Sequence, residues 1–409
     1  SAYHQSEAWA VRAVALSNLG TRWHPKASAI VLDALQSKDR RLRAYGVAAL
    51  TALSAEDLRV VLSAELLENL AAKQSRHRSK VIRNRVHGLL LRAFPAAGVD
   101  KVSGWTRWWR KAREGYAAPA WTERAPEAGE EKKKDAHRTT SGRSISERAL
   151  ELSQARLELV VVLDTTGSMQ LTIDAARAGL GDLFTILAGI AKEFRVGLVH
   201  YRERGELGGM SGPGAGAKMV ESLTPKVANL TKRLDAISAN GGGDFPERIE
   251  AGLHYALHKD MKWSREASKM VVIIGDAPPH ADTMKGILET AKRAQEAPDE
   301  LIGGRRRRPV VTGGSKGKKK RRATLPIVIS CVGVGAGGVV GQTSGPMRKI
   351  AEAGGGVYAA LNTKADPRVA SNALVSRLVE VSFGAEYVEA ARRFVATFFD
   401  YADAGYPMR

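Results

Sequence analysis

The sequence predicts an α/β protein: a doubly wound, mostly parallel sheet of the Rossmann-like kind, preceded by a short α-helical solenoid. Two apolar runs, at 157–163 and 271–274, are rich in valine and isoleucine, which indicates strands buried on both faces of a parallel sheet. Segments with helical spacing alternate with such runs, as in βαβ units. Residues 6–94 carry only amphipathic helical patterns, which places an all-helical region before the sheet.

The predicted elements of the sheet region follow one another in a regular αβ order. The helix after the first strand has a core stripe formed by Ala176, Leu180, Leu183, Leu187 and Ile190. Further strands are predicted at 194–201, 218–223, 269–275, 325–334 and 356–361, and helices near 225–238, 246–259, 282–297 and 345–353. Residues 365–401 also have helical spacing. We expect the C-terminal helix, within 386–409, to pack back on the sheet or on the solenoid.

Residues 1–116 are predicted to form a helical repeat domain. Apolar residues keep helical spacing in three stretches: Trp9, Ala13 and Leu16; Leu42, Tyr45, Ala49 and Leu53; and Ile82, Val86, Leu89 and Leu90. The segment that begins at Asp39 resembles the second helix of a HEAT repeat, and residues 79–83 echo it about 40 residues later. Because 40 residues is the HEAT period, we expect two or three helical hairpins stacked as a short solenoid.

Three tryptophans and a polar stretch follow the repeats. Trp105, Trp108 and Trp109 alternate with arginines, a pattern that is able to stack nucleic-acid bases. We favour a structural interpretation, in which Trp105 and Trp109 cap the open end of the solenoid and the basic residues point outward. Residues 117–150 are rich in Ala, Pro, Glu, Lys and Ser and are predicted to be a flexible linker.

The most informative motif is the loop that follows the first strand. Asp164 ends the apolar run, and Thr166 and Ser168 place hydroxyls two and four residues further on. One tight loop therefore carries three hard oxygen ligands, which suit Mg²⁺ or Mn²⁺. Ligands bind open α/β sheets at the carboxyl ends of their strands, which is where this loop lies.

Two further loops carry acids that are candidates for the same site. A glycine-rich loop, 241–247, has Asp244 at its centre and opens a helix at Pro246. The second apolar run ends at Asp276 and then breaks at two prolines. Two strand-end acids and one loop acid are therefore expected to converge on one point.

At these residues the chain resembles the von Willebrand factor A family, whose metal-ion-dependent adhesion site is written Asp-x-Ser-x-Ser. The resemblance covers roughly residues 151–385 and includes a basic insertion at 303–323. The motifs Gly-Gly-Gly-Asp-Phe-Pro-Glu and Asp-Ala-Pro-Pro-His are similar to those of the A domains associated with alpha-kinases and hemicentin. Residues 218–223 then correspond to the single antiparallel edge strand that is typical of the family.

The resemblance implies a set of metal ligands and a neighbouring ligand-binding face. Asp164, Thr166, Ser168 and Asp276 match the family's ligands, with Thr166 in place of the usual first serine. Asp244 falls where the family has a threonine, and it is expected to bind the metal either directly or through water. Residues next to these ligands are predicted to line the ligand-binding face: Thr165, Gly243, Glu247 and His280. His254 and His258 lie on the helix beyond the acidic loop and are not expected to be ligands.

Other readings of the strand-end acid fit less well. An aspartate after a strand often caps the next helix. A haloacid-dehalogenase phosphatase needs a second acid two residues after the first, where this chain has Thr166. The sequence has no Gly-x-x-x-x-Gly-Lys-Ser/Thr phosphate loop, and no Ser/His/Asp or Cys/His set with motif support. Metal-activated hydrolysis would leave only Glu247 or His280 as the general base.

Charge is distributed unevenly along the 409 residues. The chain has 63 Lys and Arg against 43 Asp and Glu, a formal net charge of +20. Residues 1–118 hold 20 basic residues against 9 acids. The insertion is expected to be disordered, and it has ten basic residues and no acid between 305 and 322: Arg305, Arg306, Arg307, Arg308, Lys316, Lys318, Lys319, Lys320, Arg321 and Arg322. Such a run attracts polyanions through counterion release.

Cysteine usage and hydropathy bear on the compartment. The single Cys331 lies in an apolar run, so it is expected to be buried, and no disulfide within the chain is possible. This usage is compatible with a reducing compartment, although a processed cell-envelope or secreted protein is also allowed. No run of 18 apolar residues predicts a transmembrane helix. The chain begins at Ser1 without a signal-peptide pattern, so either a leader has been removed or the chain is a fragment.

Two functions are compatible with these features. The first is a non-catalytic module in which a Mg²⁺ or Mn²⁺ ion accepts an Asp or Glu carboxylate from a partner protein, as the family resemblance implies. The second is binding of RNA or another polyanion, or of an anionic surface, through the basic repeats and the basic loop. This second reading resembles the Ro ribonucleoprotein family, although the repeat region here is much shorter. The cluster Arg76, Arg78, Lys80, Arg83 and Arg85 also favours it.

Overall fold

The computed structural model describes residues 2–19, 27–120, 143–203, 206–207, 211–242, 246–302, 324–335, 338–362 and 366–408. The chain forms two compact units. The first unit contains residues 1–153 together with 386–409, and the second contains residues 154–385. The C-terminal segment is therefore part of the unit that holds the N-terminal helices. Within the described residues, no helix is both long and apolar enough to cross a membrane.

The described residues of the first unit form helices joined by turns and loops, without a strand. Its helices are α1 (Ala2–Gln5), α2 (Trp9–Ser17), α3 (Ala27–Gln36), α4 (Arg40–Thr51), α5 (Ala55–Val61), α6 (Ala64–Glu68), α7 (Lys80–Ala93), α8 (Gly104–Ala112), α9 (Ile145–Gln154, whose last residue belongs to the second unit) and α17 (Val388–Asp403). A short π-helical turn, Asn69–Lys73, and a 3₁₀ turn, Gln74–Arg76, lead from α6 towards α7. Since α9 begins at Ile145, residues 145–150 are helical and do not belong to the predicted linker. Residues 121–142 of that linker lie outside the described residues.

Aromatic packing joins α17 to the N-terminal helices of the first unit. The ring of Tyr45 stacks on Phe394 with centroids 5.5 Å apart, and the Tyr45 hydroxyl donates to the Phe394 carbonyl at 2.8 Å. Trp105 and Trp109 are buried, as the structural interpretation of the tryptophan cluster predicted. Their indole N–H groups donate to His87 and Glu68. These two rings are therefore not available to stack nucleic-acid bases.

The second unit is built on a six-stranded sheet in the order β3-β2-β1-β4-β5-β6. The strands are β1 (Arg156–Asp164), β2 (Glu193–Tyr201), β3 (Ala217–Thr224), β4 (Ser268–Gly275), β5 (Ile327–Val334) and β6 (Gly355–Leu361). Neighbouring strands are parallel except for β3, which pairs antiparallel with β2 at one edge. The predicted fold class, a mostly parallel α/β sheet preceded by a helical region, is confirmed.

Helices cover both faces of this sheet. They are α10 (Gln170–Ile190), α11 (Val227–Asp235), α12 (Ile249–Ala256), α13 (Met284–Glu296), α14 (Pro298–Leu301), α15 (Gly338–Ala353) and α16 (Pro367–Phe383). Val160 and Val162 belong to the core that includes residues of α12, α13 and α15. Val161 and Leu163 line the space against α10 and α16. This alternation explains why β1 reads as a continuous apolar run: both of its faces are covered.

Residues 365–401, which have helical spacing in the sequence, form two helices, and these two helices belong to different units. The helix α16 ends before Gly384, whose φ of 101° lies in a region that favours glycine. The chain then starts α17 in the first unit. The other predicted elements of the sheet agree with the structure in type and order, although α15 begins at Gly338, seven residues before the predicted start.

The strand register determines where the candidate ligands lie. In the pairing of β1 with β4, Leu163 is opposite Ile274, so Asp164 and Asp276 follow adjacent strand ends. In the pairing of β1 with β2, Asp164 is opposite Tyr201. Loops after β1, β2 and β4 therefore meet at the carboxyl edge of the sheet.

Candidate functional site

Asp164 is the centre of the site at the carboxyl edge of the sheet. Its side chain is fully buried at the end of β1. Oδ1 accepts two hydrogen bonds from Thr166, one from the backbone N–H at 2.9 Å and one from the hydroxyl at 2.7 Å. Oδ2 is buried and has no hydrogen-bond partner among the described residues. One of the two carboxylate oxygens therefore fixes the conformation of the loop.

Backbone hydrogen bonds hold three loops together around Asp164. The Thr165 N–H donates to the Tyr201 carbonyl at 3.1 Å, which ties the β1 loop to the end of β2. The Asn240 N–H donates to the Thr165 carbonyl at 3.1 Å, and the Gly167 N–H donates to the Gly241 carbonyl at 3.2 Å. The glycine-rich loop is therefore docked on the loop that carries Thr166 and Ser168.

Two glycines allow this close approach. Gly242 has a φ of 90°, and a Cβ atom at this position would lie 3.2 Å from the Cβ of Thr166 and 3.7 Å from Oε1 of Glu247. Gly275, at the end of β4, would place a Cβ only 2.5 Å from the Tyr201 hydroxyl and 3.3 Å from Oδ2 of Asp164. A larger residue at either position would occupy the space around the carboxylate or displace its neighbours.

Glu247 is a second buried acid at the same place. Only 4% of the residue is exposed, and its Oε2 has no hydrogen-bond partner among the described residues. Its backbone N–H donates to the Pro278 carbonyl at 2.9 Å, which fixes it against the loop after β4. Burial is the main cause that raises the pKa of Glu247 to about 9, and the charges of Asp164, Glu203 and Asp276 add to it.

The pKa of Asp164 is also raised, to about 7. Burial is again the largest cause, and the negative charge of Asp276 acts in the same direction. The hydrogen bonds from Thr166 and the positive charge of Arg202 lower it. Two buried carboxyls with raised pKa values therefore lie close enough to influence each other, and a cation beside them would favour their charged forms.

The other predicted ligands lie nearby, although the structure does not describe all of them. Ser168 is exposed in the short turn that leads into α10. Asp276 is half-buried, and its carbonyl accepts a hydrogen bond from the Thr343 hydroxyl at 2.7 Å. Gly243 and Asp244 lie outside the described residues, as does the basic run 305–322.

Thr165, which is predicted to line the ligand-binding face, contacts residues at the end of β2. Its hydroxyl is fully buried and lies 3.2 Å from Nδ1 of His200. It also accepts a hydrogen bond from Nε of Arg202 at 3.0 Å. Burial lowers the pKa of His200 to about 4, with Arg202 and Lys218 acting in the same direction, so this imidazole is neutral. These contacts hold Thr165 against the end of β2, and its ligand-binding role remains a prediction.

Two residues at the end of β2 belong to the site although no sequence motif contains them: Tyr201, the last residue of the strand, and Glu203. The hydroxyl of Tyr201 is buried without a hydrogen-bond partner among the described residues, close to Asp164. Glu203 lies 3.4 Å from Nε2 of His280 and raises the pKa of Glu247. The available signal was their position directly after a buried strand, where parallel strands bring side chains to a common edge.

A cleft of about 620 Å³ adjoins these residues. Glu203 and His280 form one side of it. Asp282 adds a third polar group, and the apolar residues Leu253 and Ile287 of α12 and α13 also line the cleft. His254 and His258 line the cleft as well, with ring centroids 5.8 Å apart. The candidate site is therefore bordered by a surface with both acidic and apolar groups.

The donor chemistry fits a hard divalent cation. Carboxylate and hydroxyl oxygens are the ligands that Mg²⁺ and Mn²⁺ prefer. Among the described residues, no group of three or more His, Cys, Asp and Glu side chains is arranged to hold a metal. The predicted set contains three aspartates, of which Asp244 lies outside the described residues, and the hydroxyls of Thr166 and Ser168.

The sheet is mostly parallel, and an aspartate followed by two hydroxyl-bearing residues, Thr166 and Ser168, lies at the end of its strand β1. Residues 158–324 match the family model of the von Willebrand factor A domain. The predicted resemblance to the von Willebrand factor A domain is therefore confirmed for this segment, which covers less than half of the chain. The Gly-Gly-Gly-Asp-x-Pro-Glu branch and the HEAT-like repeats remain predictions from the sequence.

Two solved structures are similar to this chain. One is the VWA domain of SpRpn10, at 10% identity and a TM-score of 0.35, over 53% of this chain and 94% of that chain. The other is the conserved hypothetical protein BatB from Bacteroides thetaiotaomicron, at 15% identity and a TM-score of 0.35, over 55% of this chain and 98% of that chain. No curated protein sequence matches the chain.

Proposed function

We propose that the second unit is a non-catalytic, metal-dependent protein-binding module. The ion is Mg²⁺ or Mn²⁺, and it would be held by Asp164, Thr166, Ser168 and Asp276, with Asp244 as a direct or water-bridged ligand. When bound, the metal supplies an electrophilic position that accepts a carboxylate from a partner protein. Von Willebrand factor A domains are commonly protein-interaction modules, which agrees with this proposal.

The observation that carries the proposal is that two buried acids each have one carboxyl oxygen without a hydrogen-bond donor among the described residues. Asp164 Oδ2 and Glu247 Oε2 have no hydrogen-bond donor among the described residues. A buried carboxylate without a counter-charge is costly, because desolvation is not offset. A divalent cation would provide that counter-charge and lower both raised pKa values.

Glu247 is proposed to lie outside the first set of ligands. It is buried behind Gly242 and fixed by its backbone to Pro278. In that position it would hold a metal-bound water or add negative charge around the ion. The additional negative charge would strengthen intrinsic metal binding and weaken the attraction for an acidic partner.

The cleft next to the site supplies the rest of the partner surface. Glu203 and Asp282 give it negative charge, while Leu253 and Ile287 make part of it apolar. A partner that places an acid on the metal would therefore place a basic or apolar side chain in the cleft. We propose no catalytic step, because the nearby groups able to move a proton are Glu247, which is buried, and His280, which lies against Glu203.

Calorimetric titration with Mg²⁺ tests the metal site. Wild type should bind one Mg²⁺, and D164A should lose that binding. The second variant, S168A, removes only an exposed hydroxyl, so it should weaken binding without disturbing the fold. The matched control is D282A, since Asp282 is an exposed aspartate of the neighbouring cleft, and it should bind Mg²⁺ like wild type.

Equal Mg²⁺ affinity in wild type, D164A and S168A would remove the proposal. A capture experiment then tests the partner. Proteins retained by the wild type in Mg²⁺ should be released by chelator and should not be retained by D164A. Retention that is indifferent to both changes would show that partner binding does not use the metal.

A further inference from the structure

Two loops of the first unit, 40 residues apart, are built in the same way. Asp39 caps α4 by accepting from the Arg41 N–H at 2.8 Å, and Ser79 caps α7 by accepting from the Val81 N–H at 3.2 Å. Four residues after each cap an arginine folds back on its own loop. The guanidinium of Arg43 donates to the Ser37 carbonyl, and that of Arg83 donates to the His77 carbonyl.

The two loops are neighbours in space. The Tyr406 hydroxyl donates to the Arg40 carbonyl at 2.9 Å, and its ring centroid lies 6.2 Å from that of His77. Just before the second loop, the Gln74 amide donates to the Leu35 carbonyl at 2.9 Å. A single surface therefore carries the start of α4 beside the start of α7.

The basic residues of the two loops and of the start of α7 fall into two groups, those with contacts inside the unit and those exposed at its surface. Arg83 is occupied by the carbonyls of its own loop, and Arg85 pairs with Asp400 at 2.5 Å and covers the Tyr401 ring. Both were part of the basic cluster predicted from the sequence, yet both have internal roles. The basic residues at the surface of the two loops are all exposed, and we call them the basic ridge: Lys38, Arg40, Arg76, Arg78 and Lys80.

Five exposed basic residues give the ridge a concentration of positive charge. The nearest acid in these loops, Asp39, is paired with Arg41 at 2.8 Å. His77, in the second loop, has a lowered pKa because of its burial and of the charges of Arg43 and Arg83. The helices α4 and α7 also begin here, and the N-terminus of a helix favours anions.

We propose that the basic ridge binds the phosphate backbone of a nucleic acid. Five exposed cations on two braced loops suit a chain of regularly spaced phosphates. The ridge itself has no aromatic residue, Tyr406 beside it is buried, and His77 is half-buried with its ring centroid 6.2 Å from that of Tyr406, so base stacking is not expected to contribute. Binding should therefore depend on salt and be indifferent to base sequence.

The ridge suits a nucleic acid better than a membrane surface. Peripheral membrane binding usually combines basic residues with exposed apolar ones that enter the lipid. In the described part of the first unit, Leu91 is the large exposed hydrophobic residue. It is eleven residues beyond Lys80 on α7, roughly 16 Å along the helix at 1.5 Å per residue, and so is remote from the ridge.

Fluorescence anisotropy with the full chain and a labelled oligouridylate of about 20 nucleotides tests the proposal. Each phosphate contact on a single strand contributes a salt slope of about 0.7, so five contacts give a slope near −3.5. K38E/R40E and R76E/R78E should each make the slope shallower by about 1.4 and raise Kd about 25-fold at about 0.1 M salt. The basic run 305–322 is identical in all variants, so a difference between them is due to the substituted residues.

The matched control is R107E/R110E, which makes the same charge change at exposed arginines of α8. Circular dichroism establishes that the variants are folded. Loss of binding in both ridge variants but not in the control supports the proposal. Unchanged Kd values in folded ridge variants overturn it, as does an equal loss in the control. Ridge-dependent binding to phosphatidylserine vesicles without ridge-dependent binding to the oligonucleotide overturns it as well.

Discussion

Replacing Asp164 with asparagine should stabilise the metal-free protein at alkaline pH and abolish its response to Mg²⁺. Asp164 is fully buried, and its pKa is about 7 in place of the ordinary 3.8. A group whose pKa is raised in the folded state contributes stability that is complete below the unfolded pKa. That contribution is lost as the pH rises through the folded pKa. The relevant window is therefore from about pH 4 to about pH 8.

The magnitude follows from the size of the shift. A change of about three pKa units, at 1.36 kcal/mol per unit, corresponds to roughly 4 kcal/mol lost from wild type across this window. Asparagine does not ionise, and its Oδ1 can still accept both hydrogen bonds from Thr166. Its amide group would take the position of Oδ2, which has no partner, at a cost of about 1–2 kcal/mol. D164N should therefore exceed wild type by about 2–3 kcal/mol at pH 8 without metal.

Hydrogen exchange of peptides from β1, measured in chelator and in saturating Mg²⁺, reports the free energy of opening for the second unit. In chelator, wild type should lose protection as the pH rises and D164N should lose less, because Glu247 also has a raised pKa and still ionises in the variant. In Mg²⁺ wild type should keep its protection, whereas Mg²⁺ should have no effect on D164N. D282N, at an exposed aspartate, should follow wild type. A wild type whose metal-free stability does not depend on pH, or a D164N variant less stable than wild type at pH 8, would refute the reasoning.

Two other substitutions test the loops and the helical packing. G242A should weaken Mg²⁺ binding by at least tenfold in calorimetry, because a Cβ at a φ of 90° costs about 1–3 kcal/mol and would lie 3.2 Å from the Cβ of Thr166. G286A, on α13 with nothing within 4 Å of the added Cβ, should bind like wild type, and equal binding by both variants would contradict the expected role of the glycine loop. Y45F should lower the free energy of unfolding of the first unit by about 1 kcal/mol, because the Phe394 carbonyl loses its donor; unchanged urea unfolding would count against this bond.

The local sequence determined the elements of the sheet and the first half of the site. The apolar run of β1 has both faces covered, so its composition alone reveals a central strand. Asp164, Thr166 and Ser168 are at most four residues apart, so their oxygens are expected to lie near one another, and the Thr166 hydroxyl donates to Asp164 Oδ1 at 2.7 Å. Chain proximity of this kind makes a short motif sufficient to propose such a set of ligands.

Tertiary structure alone decided which distant groups join them. Tyr201 and Glu203, which no motif contained, come to the site through the parallel pairing of β1 with β2, and the bridge between Glu247 and Pro279 places the predicted Glu247 beside them. The register of strands separated by long crossovers depends on burial over the whole sheet, and no short pattern encodes it.

The same distinction applies to the first unit. The sequence identified basic residues near α7 but not their different roles. Arg83 braces its own loop, while Arg40, which lies 43 residues earlier, reaches the same surface through the contacts of Tyr406. A flexible charged side chain pairs with whichever carbonyl or carboxylate the fold brings within reach, and the folded chain alone fixes those distances.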